Sequence, residues 1–202
     1  INQSELWREA LGGCLKSHGH ECHVVPGGQG CVAALSSDTV PPLIAYGAEV
    51  STLGPEGQRR VALTELYDTD GTHHVRLLPG EVLTSVVVPA PASHTRVAYR
   101  KWSVRKSIDF PLVSVAVRLD VDGARLAGGM VVVGVLGPRP RVLPLAKLAG
   151  RALDAALADE LAQMAFDRNG LVASAAVDPR QPHFGCSAEA QTEAVIDKFE
   201  NV

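Results

Sequence analysis

The sequence predicts an α+β fold in which helices pack on an antiparallel sheet, and three observations carry that expectation. Strand-like segments at 96–104, 112–119 and 125–135 follow one another, with Asp122-Gly123 as a tight turn between the last two. Residues 145–167 then shift to Ala, Leu and charged residues at helical spacing, which predicts one or two helices packed on that sheet. Ahead of the sheet, Pro89-Ala90-Pro91-Ala92-Ser93 breaks both helix and sheet pairing. A boundary there divides the chain into 1–93 and 94–202.

Taken in order, residues 1–35 read as a long irregular loop. They hold three of the four cysteines, three of the seven histidines and the run Pro26-Gly27-Gly28-Gln29-Gly30. A loop of this length has too little apolar surface to offset its own ordering entropy, so an external staple is expected. A helix follows over 39–46: Ser37 or Asp38 can cap it, Pro41 suits its first turn and Gly47 can end it. Strand-like segments at 48–53 and 60–63 flank Gly54-Pro55-Glu56-Gly57 and predict a hairpin. A further strand is expected over 82–88.

The 202 residues, 46% hydrophobic and 20% charged, have an ordinary globular composition and suit one large or two small domains. Apolar stretches such as 130–136 are far too short to cross a bilayer, and no charged-then-apolar signal segment opens the chain. A soluble cytoplasmic protein without a membrane partner is expected. A formal charge of -3 with scattered basic residues carries no electrostatic footprint for nucleic acid. The chain opens at Ile1 and reads from its first residues like the middle of a longer sequence, so an upstream portion is expected.

Cys14, Cys22 and Cys31 are separated by seven and eight residues. Thiolates on a glycine-bearing loop suit an iron–sulfur cluster or zinc, because soft sulfur ligands favour those metals and a pliant backbone can wrap them. The spacing lacks the Cys-x2-Cys knuckle, and by itself leaves open both a metal site and three unrelated thiols. His20 and His23 bracket Cys22 as further candidate ligands, the alternative being solvent-facing loop histidines. Cys186 stands apart and reads as a plain thiol.

The residues Asn2-Gln3-Ser4-Glu5-Leu6-Trp7-Arg8, Cys14-Leu15-Lys16, Cys22-His23-Val24, Cys31 and Ser37-Asp38-Thr39-Val40-Pro41 together resemble the flavin-binding (medium) subunits of the molybdenum hydroxylase family of xanthine and carbon monoxide dehydrogenases, most of all those of the 4-hydroxybenzoyl-CoA reductase type. The likeness continues through Pro79-Gly80-Glu81-Val82-Leu83 and from Ala98-Tyr99-Arg100-Lys101 to Ile108-Asp109-Phe110-Pro111, and covers residues 1 to about 165. It implies the second half of a vanillyl-alcohol-oxidase-type FAD domain followed by the C-terminal domain of the carbon monoxide dehydrogenase flavoprotein. It also implies a 4Fe-4S cluster in an inserted loop, with Cys14, Cys22 and Cys31 as three ligands and the fourth upstream of Ile1. The family's glycine-rich pyrophosphate motifs would lie upstream as well.

By the same resemblance Asp38 touches the adenosine side of FAD, Leu83 (or Val82) approaches the flavin through its backbone, and Lys101 contacts the flavin. Without it, Asp38 reads equally as a helix cap, Leu83 as a strand core residue and Lys101 as a solvated strand lysine. Arg105, Lys106 and Asp109 fall in the same region without assigned roles. The tail after about Asp167 departs from the family pattern. The implied partners are a large subunit carrying the molybdenum cofactor, a small subunit with 2Fe-2S clusters and an external carrier such as ferredoxin. The implied activity is that of an electron-relaying FAD-dependent oxidoreductase subunit, with the organic substrate on the large subunit. Two alternatives stand beside the reductase-like reading: a flavin subunit of a purine, aldehyde or heterocycle hydroxylase, and a non-enzymatic module whose cysteine loop binds structural zinc.

Overall fold

The computed structural model describes residues 4–25, 27–105 and 108–176; Pro26, Lys106, Cys186 and the tail beyond 176 lie outside them. Two antiparallel sheets form the frame. The first has the order β2-β1-β3, from β1 (Glu49–Gly54), β2 (Gly57–Ala62) and β3 (Val82–Val87); the second has the order β4-β5-β6-β7, from β4 (Thr95–Trp102), β5 (Val113–Asp122), β6 (Arg125–Gly134) and β7 (Arg141–Pro144). Residues 88–94 join the sheets without regular structure, as two prolines in five residues require. Among the described residues no helix is long and apolar enough to cross a membrane.

The turns form where their residues permit them. Gly54 pairs with Gly57 across the β1–β2 hairpin, and Gly57 takes a φ of 103°, a conformation that an L side chain resists. Asp122 pairs with Arg125 across the β5–β6 turn. Valines alternate along β5 and β6 with the two-residue period of a strand. Ala116 and Val132 face one side, while Val117, Val131 and Val133 face the other.

That alternation places the second sheet between two helical layers. Against one face lies α2 (Val40–Ala45), whose Val40, Ile44 and Ala45 share a core with Val50 and Leu66 of the first half and Ala116 and Val132 of the second. Against the other lies α3 (Ala155–Ala176), anchored by the buried Leu157 with Leu161 and Ala165 beside it. Gly134, at the end of β6, lets α2 approach. A Cβ there would stand 2.5 Å from Ser114 Oγ and 2.9 Å from Pro41 Cγ.

Three elements depart from the sequence expectation. The stretch 1–35 is not wholly irregular: Ser4 caps α1 (Glu5–Ala10) by accepting from Trp7 N at 3.2 Å, and a short 3-10 turn spans Leu15–Ser17. Strand β2 starts three residues earlier than the apolar run suggests, because pairing with β1 and not hydrophobicity sets its length; its Gln58, Arg59 and Arg60 are polar. The four-residue edge strand β7 carries too few residues for a pattern, and ends in Pro144.

Glu81 ties the first sheet together. Its side chain, 3% exposed, accepts from Thr52 Oγ1 on β1, from Arg59 Nη2 on β2 at 2.7 Å and from Leu78 N in the turn before β3 at 2.8 Å. The Arg59 guanidinium, opposed by burial and assisted by Thr52 and Leu78, holds the carboxyl down to about 2 against an ordinary 4.5. A carboxyl depressed in this way stabilises the fold fully above its unfolded value and loses that contribution as pH falls towards the folded one. Urea midpoints of the wild type should therefore exceed those of Glu81→Gln near neutrality, and the gap should close between about pH 4.5 and 2; a gap independent of pH would remove the ionised carboxylate from the account. Gly134→Ala should cost about 1–3 kcal/mol by overpacking, read from the same denaturation curves.

Candidate functional site

Two groups of chemistry-bearing side chains stand out, one at the mouth of the two sheets and one in the cysteine loop. The first is built around Asp38, just ahead of α2, and Lys101 on β4. Lys101 Nζ donates to Asp38 Oδ2 at 2.7 Å and to the Asp109 carbonyl at 2.6 Å, and Tyr99 Oη donates to Asp38 Oδ1 at 3.5 Å. Tyr99 and Lys101 are two residues apart on one strand and so share a face. Asp38 does not cap the helix: Ser37 Oγ accepts from Val40 N at 3.2 Å instead, which leaves the carboxylate for the lysine.

Asp109 closes the group from the 103–111 loop. Arg105 donates to its carboxylate from Nη2 and from its backbone N, both at 3.0 Å, and Phe110 N adds a third bond at 3.0 Å. These donors, the Arg105 side chain foremost, hold the Asp109 carboxyl at about 2. Burial, then the charge of Asp38, push the Tyr99 phenol up. Leu83 does not join this group. It stands on β3 of the other sheet, 44% exposed, opposite Thr52. The register of β1 against β3 slips there, leaving Thr84 unpaired as a bulge whose hydroxyl donates to Ser51 O at 3.0 Å.

The second group lies in the loop before α2. Cys14, Cys22 and Cys31 are each free and at most 9% exposed, and all three line one cavity of about 50 Å³. A single water needs roughly 10–15 Å³ by this measure, so the space exceeds a hydration site. Gly13 (φ 79°) packs against Gly19, where a Cβ would fall 2.2 Å from the Gly13 oxygen, and this closes the turn that carries Cys14. Burial raises the Cys14 thiol, but hydrogen bonding around Lys16 and Ser17 and the charge of Arg8 outweigh it, and the net shift is downward. Val25 N donates to Cys22 Sγ at 3.3 Å. Cys31 is seated by Gly71, whose N donates to the Cys31 carbonyl at 2.9 Å.

The donor chemistry separates two occupants. A single ion such as zinc needs its ligands to converge on one point, about 2.3 Å from each sulfur. Among the described residues no three His, Cys, Asp or Glu side chains are gathered in that way. A cluster takes each thiolate on a different iron and accommodates sulfurs set further apart around a shared cavity. His23 lines the cavity, and its Nδ1 is buried without a partner, as is Arg8 Nε. The three thiols thus share one cavity with two residues whose buried nitrogens lack a partner. Tyr99 was readable from its strand spacing to Lys101, whereas Gly71 reaches Cys31, and Arg8 the cavity, through packing that leaves no local signal.

Residues 11–91 match the family model described as the FAD binding domain in molybdopterin dehydrogenase. The chain is 35% identical over 135 residues to the FAD-binding subunit of the aldehyde oxidoreductase of Escherichia coli, covering 65% of this chain and 40% of that subunit. It is 35% identical over 79 residues to the carbon monoxide dehydrogenase medium chain of Afipia carboxidovorans, covering 39% of this chain and 26% of that one. In structure it superposes on the crystal structure of the Cu,Mo-CO dehydrogenase in its cyanide-inactivated form with a TM-score of 0.59 and 26% identity, covering 82% of this chain and 54% of the other. The chain thus spans about half or less of the length of the relatives it matches. These relatives are subunits of oxidoreductases, and this chain is similar to them over the matched residues.

A Cβ on Gly71 would stand 2.8 Å from Cys31 Sγ and 2.9 Å from Ala33 N. Gly71→Ala should therefore lower stability by about 1–3 kcal/mol in urea titration. An unchanged midpoint would show that the 68–74 loop is not the seat of Cys31.

Proposed function

We propose that this chain is part of an electron-relaying, FAD-binding subunit of a molybdenum-dependent oxidoreductase, and that its cysteine loop supplies three ligands to a 4Fe-4S cluster. The observation that carries the reading is the sharing of one cavity by three buried thiols inside the segment that matches the flavin domain. In this reading residues 1–93 are the C-terminal part of the FAD domain and 94–202 the domain that follows it. When bound, the flavin exchanges electrons with an outside partner and the cluster carries them singly.

The residues of the chain have capacity for these groups. A carboxylate offers about four acceptor sites and an ammonium three donors. Asp38 uses two sites on Lys101 and Tyr99, so it retains acceptors for ribose hydroxyls; Lys101 donates to Asp38 and the Asp109 carbonyl and retains one donor for the flavin. The bulge at Thr84 re-aims the strand beside Leu83, where backbone groups would meet the flavin. Cys14, whose thiol the hydrogen bonds around Lys16 and Ser17 and the charge of Arg8 shift downward, would be one of the three ligands.

The assembly we envisage adds a large subunit with the molybdenum cofactor, a small subunit with 2Fe-2S clusters and a ferredoxin-type donor. Electrons would then run inward to a reductive reaction on an aromatic acyl-CoA of the 4-hydroxybenzoyl type. A second reading, in which an aldehyde, purine or heterocycle is oxidised and electrons leave through the flavin, is equally consistent with the relatives, which include subunits of aldehyde, xanthine and nicotinate enzymes. The two share this chain's chemistry and differ on the large subunit.

The test is metal and flavin analysis of the complete enzyme, purified without oxygen, beside a variant with Cys14, Cys22 and Cys31 all changed to Ser. The variant should lose about four irons and the matching sulfide per copy, the content of one cubane, and keep its FAD. Equal iron in both would return the cysteines to an incidental role. Zinc without flavin in the wild type would favour the structural module.

A further inference from the structure

Two residues that line the three-thiol cavity each hold a buried nitrogen with nothing to bond. Arg8 Nε and His23 Nδ1 are both buried from solvent and lack a hydrogen-bond partner, and both residues line the cavity with the three cysteines. A buried polar group left unpaired is destabilising, and such groups in folded proteins almost always have a partner. The two come from different places in the chain, one from α1 and one from the loop beside Cys22, so their convergence is a product of the fold.

The surroundings specify that partner. Leu15, Val24, Val32 and Ala33 give the cavity apolar walls, Lys16 adds a cation, and among the described residues no carboxylate lines it. Within it, Cys14 Sγ has the Ser17 hydroxyl at 3.7 Å and Cys22 Sγ the Val25 amide at 3.3 Å, so two sulfurs already accept one bond each. A neutral thiol is a weak acceptor, whereas a thiolate or sulfide in a low-dielectric cavity is a strong, charge-assisted one. Cationic and N–H donors around apolar walls suit a negatively charged, sulfur-rich occupant.

We infer that Arg8 Nε–H and His23 Nδ1–H donate hydrogen bonds to sulfur atoms of the iron–sulfur cluster and thereby raise its reduction potential; the inference rests on the cluster reading above. Adding one electron from an external reductant increases the negative charge on the sulfurs and strengthens both bonds. The reduced state gains more than the oxidised one. His23 takes part as the tautomer that carries its proton on Nδ1. Both residues tune the cluster without ligating it.

The experiment uses the complete enzyme, purified without oxygen, and follows the cluster that disappears in the three-cysteine variant. Arg8→Met and His23→Phe, which keep the bulk and remove the donors, should each retain iron and sulfide. Each should shift the reduction equilibrium towards the oxidised state by roughly three- to tenfold in a dithionite titration, tenfold being about 59 mV for a one-electron couple. In unmodified enzyme labelled with nitrogen-15 at arginine or at histidine, electron spin-echo spectra of the reduced cluster should show a coupled nitrogen from each residue type. Unchanged potentials at full iron content would overturn the inference. Should a variant lose its iron, the missing nitrogen couplings in the unmodified enzyme would overturn it instead. An enzyme whose iron does not depend on the three cysteines would overturn the cluster reading itself, a failure visible in the iron count before any potential is measured.

Discussion

Helix α2 is six residues long, too short to persist in water without tertiary contacts, and the frame of the molecule depends on where it is buried. Val40, Pro41, Ile44 and Ala45 are buried. The sheet that receives them is the second one, while the chain leaving the helix turns at Gly47 (φ 75°) into the first. One short element therefore joins two sheets that share no strand. Arg118 on β5 reinforces the joint by donating to the carbonyl of Ala45 at 3.4 Å, at the end of the helix where unpaired carbonyls favour a cation.

The site geometry follows from that joint. Asp38 lies just ahead of α2 and Lys101 on the strand next to β5, so docking the helix brings the carboxylate onto the ammonium. The pair is partly open, with side chains 46% and 24% exposed, and contributes little as a surface ion pair. Its value is in orientation: the carbonyl of Asp109 and the carboxylate of Asp38 fix the lysine from two sides. The cysteine loop is fastened at its far end as well, where Leu35 N donates to the Gly137 carbonyl at 2.9 Å. Between its anchors it holds itself by Gly13, Gly19 and the contact of Cys31 with Gly71, with little apolar packing of its own.

Much of this was legible in the amino-acid order. The strand and helix periods located α2, β5 and β6 to within a residue or three, because each has a buried face and the pattern records it, while β3 was marked by its β-branched residues alone. The proline pair marked the passage between the sheets. The polar half of β2 and the four residues of β7 are set by their strand neighbours and have no period of their own. For the site, residue types nominated Asp38, Lys101 and the three cysteines, yet neither the pairing of the first two nor the common cavity of the others follows from spacing. The first depends on a contact across 63 residues, and the second on how the loop closes on itself, as does the approach of Arg8. Leu83, expected as a strand core residue when read alone, is half-exposed, because among the described residues β3 has a partner on one side and no cover on its faces.

That last feature bears on how the protein behaves in a test tube. Every residue of β3 is exposed, Val82, Leu83, Val86 and Val87 among them, and among the described residues one edge of the strand has no neighbour within the sheet. A flat apolar strand with free N–H and C=O groups is a template for any other extended chain, including another copy of itself. The stretch that carries the bulge beside Leu83 is thus also the one most prone to cross-seeding when left bare. Burial of such a strand under a covering surface is what keeps it from that pairing.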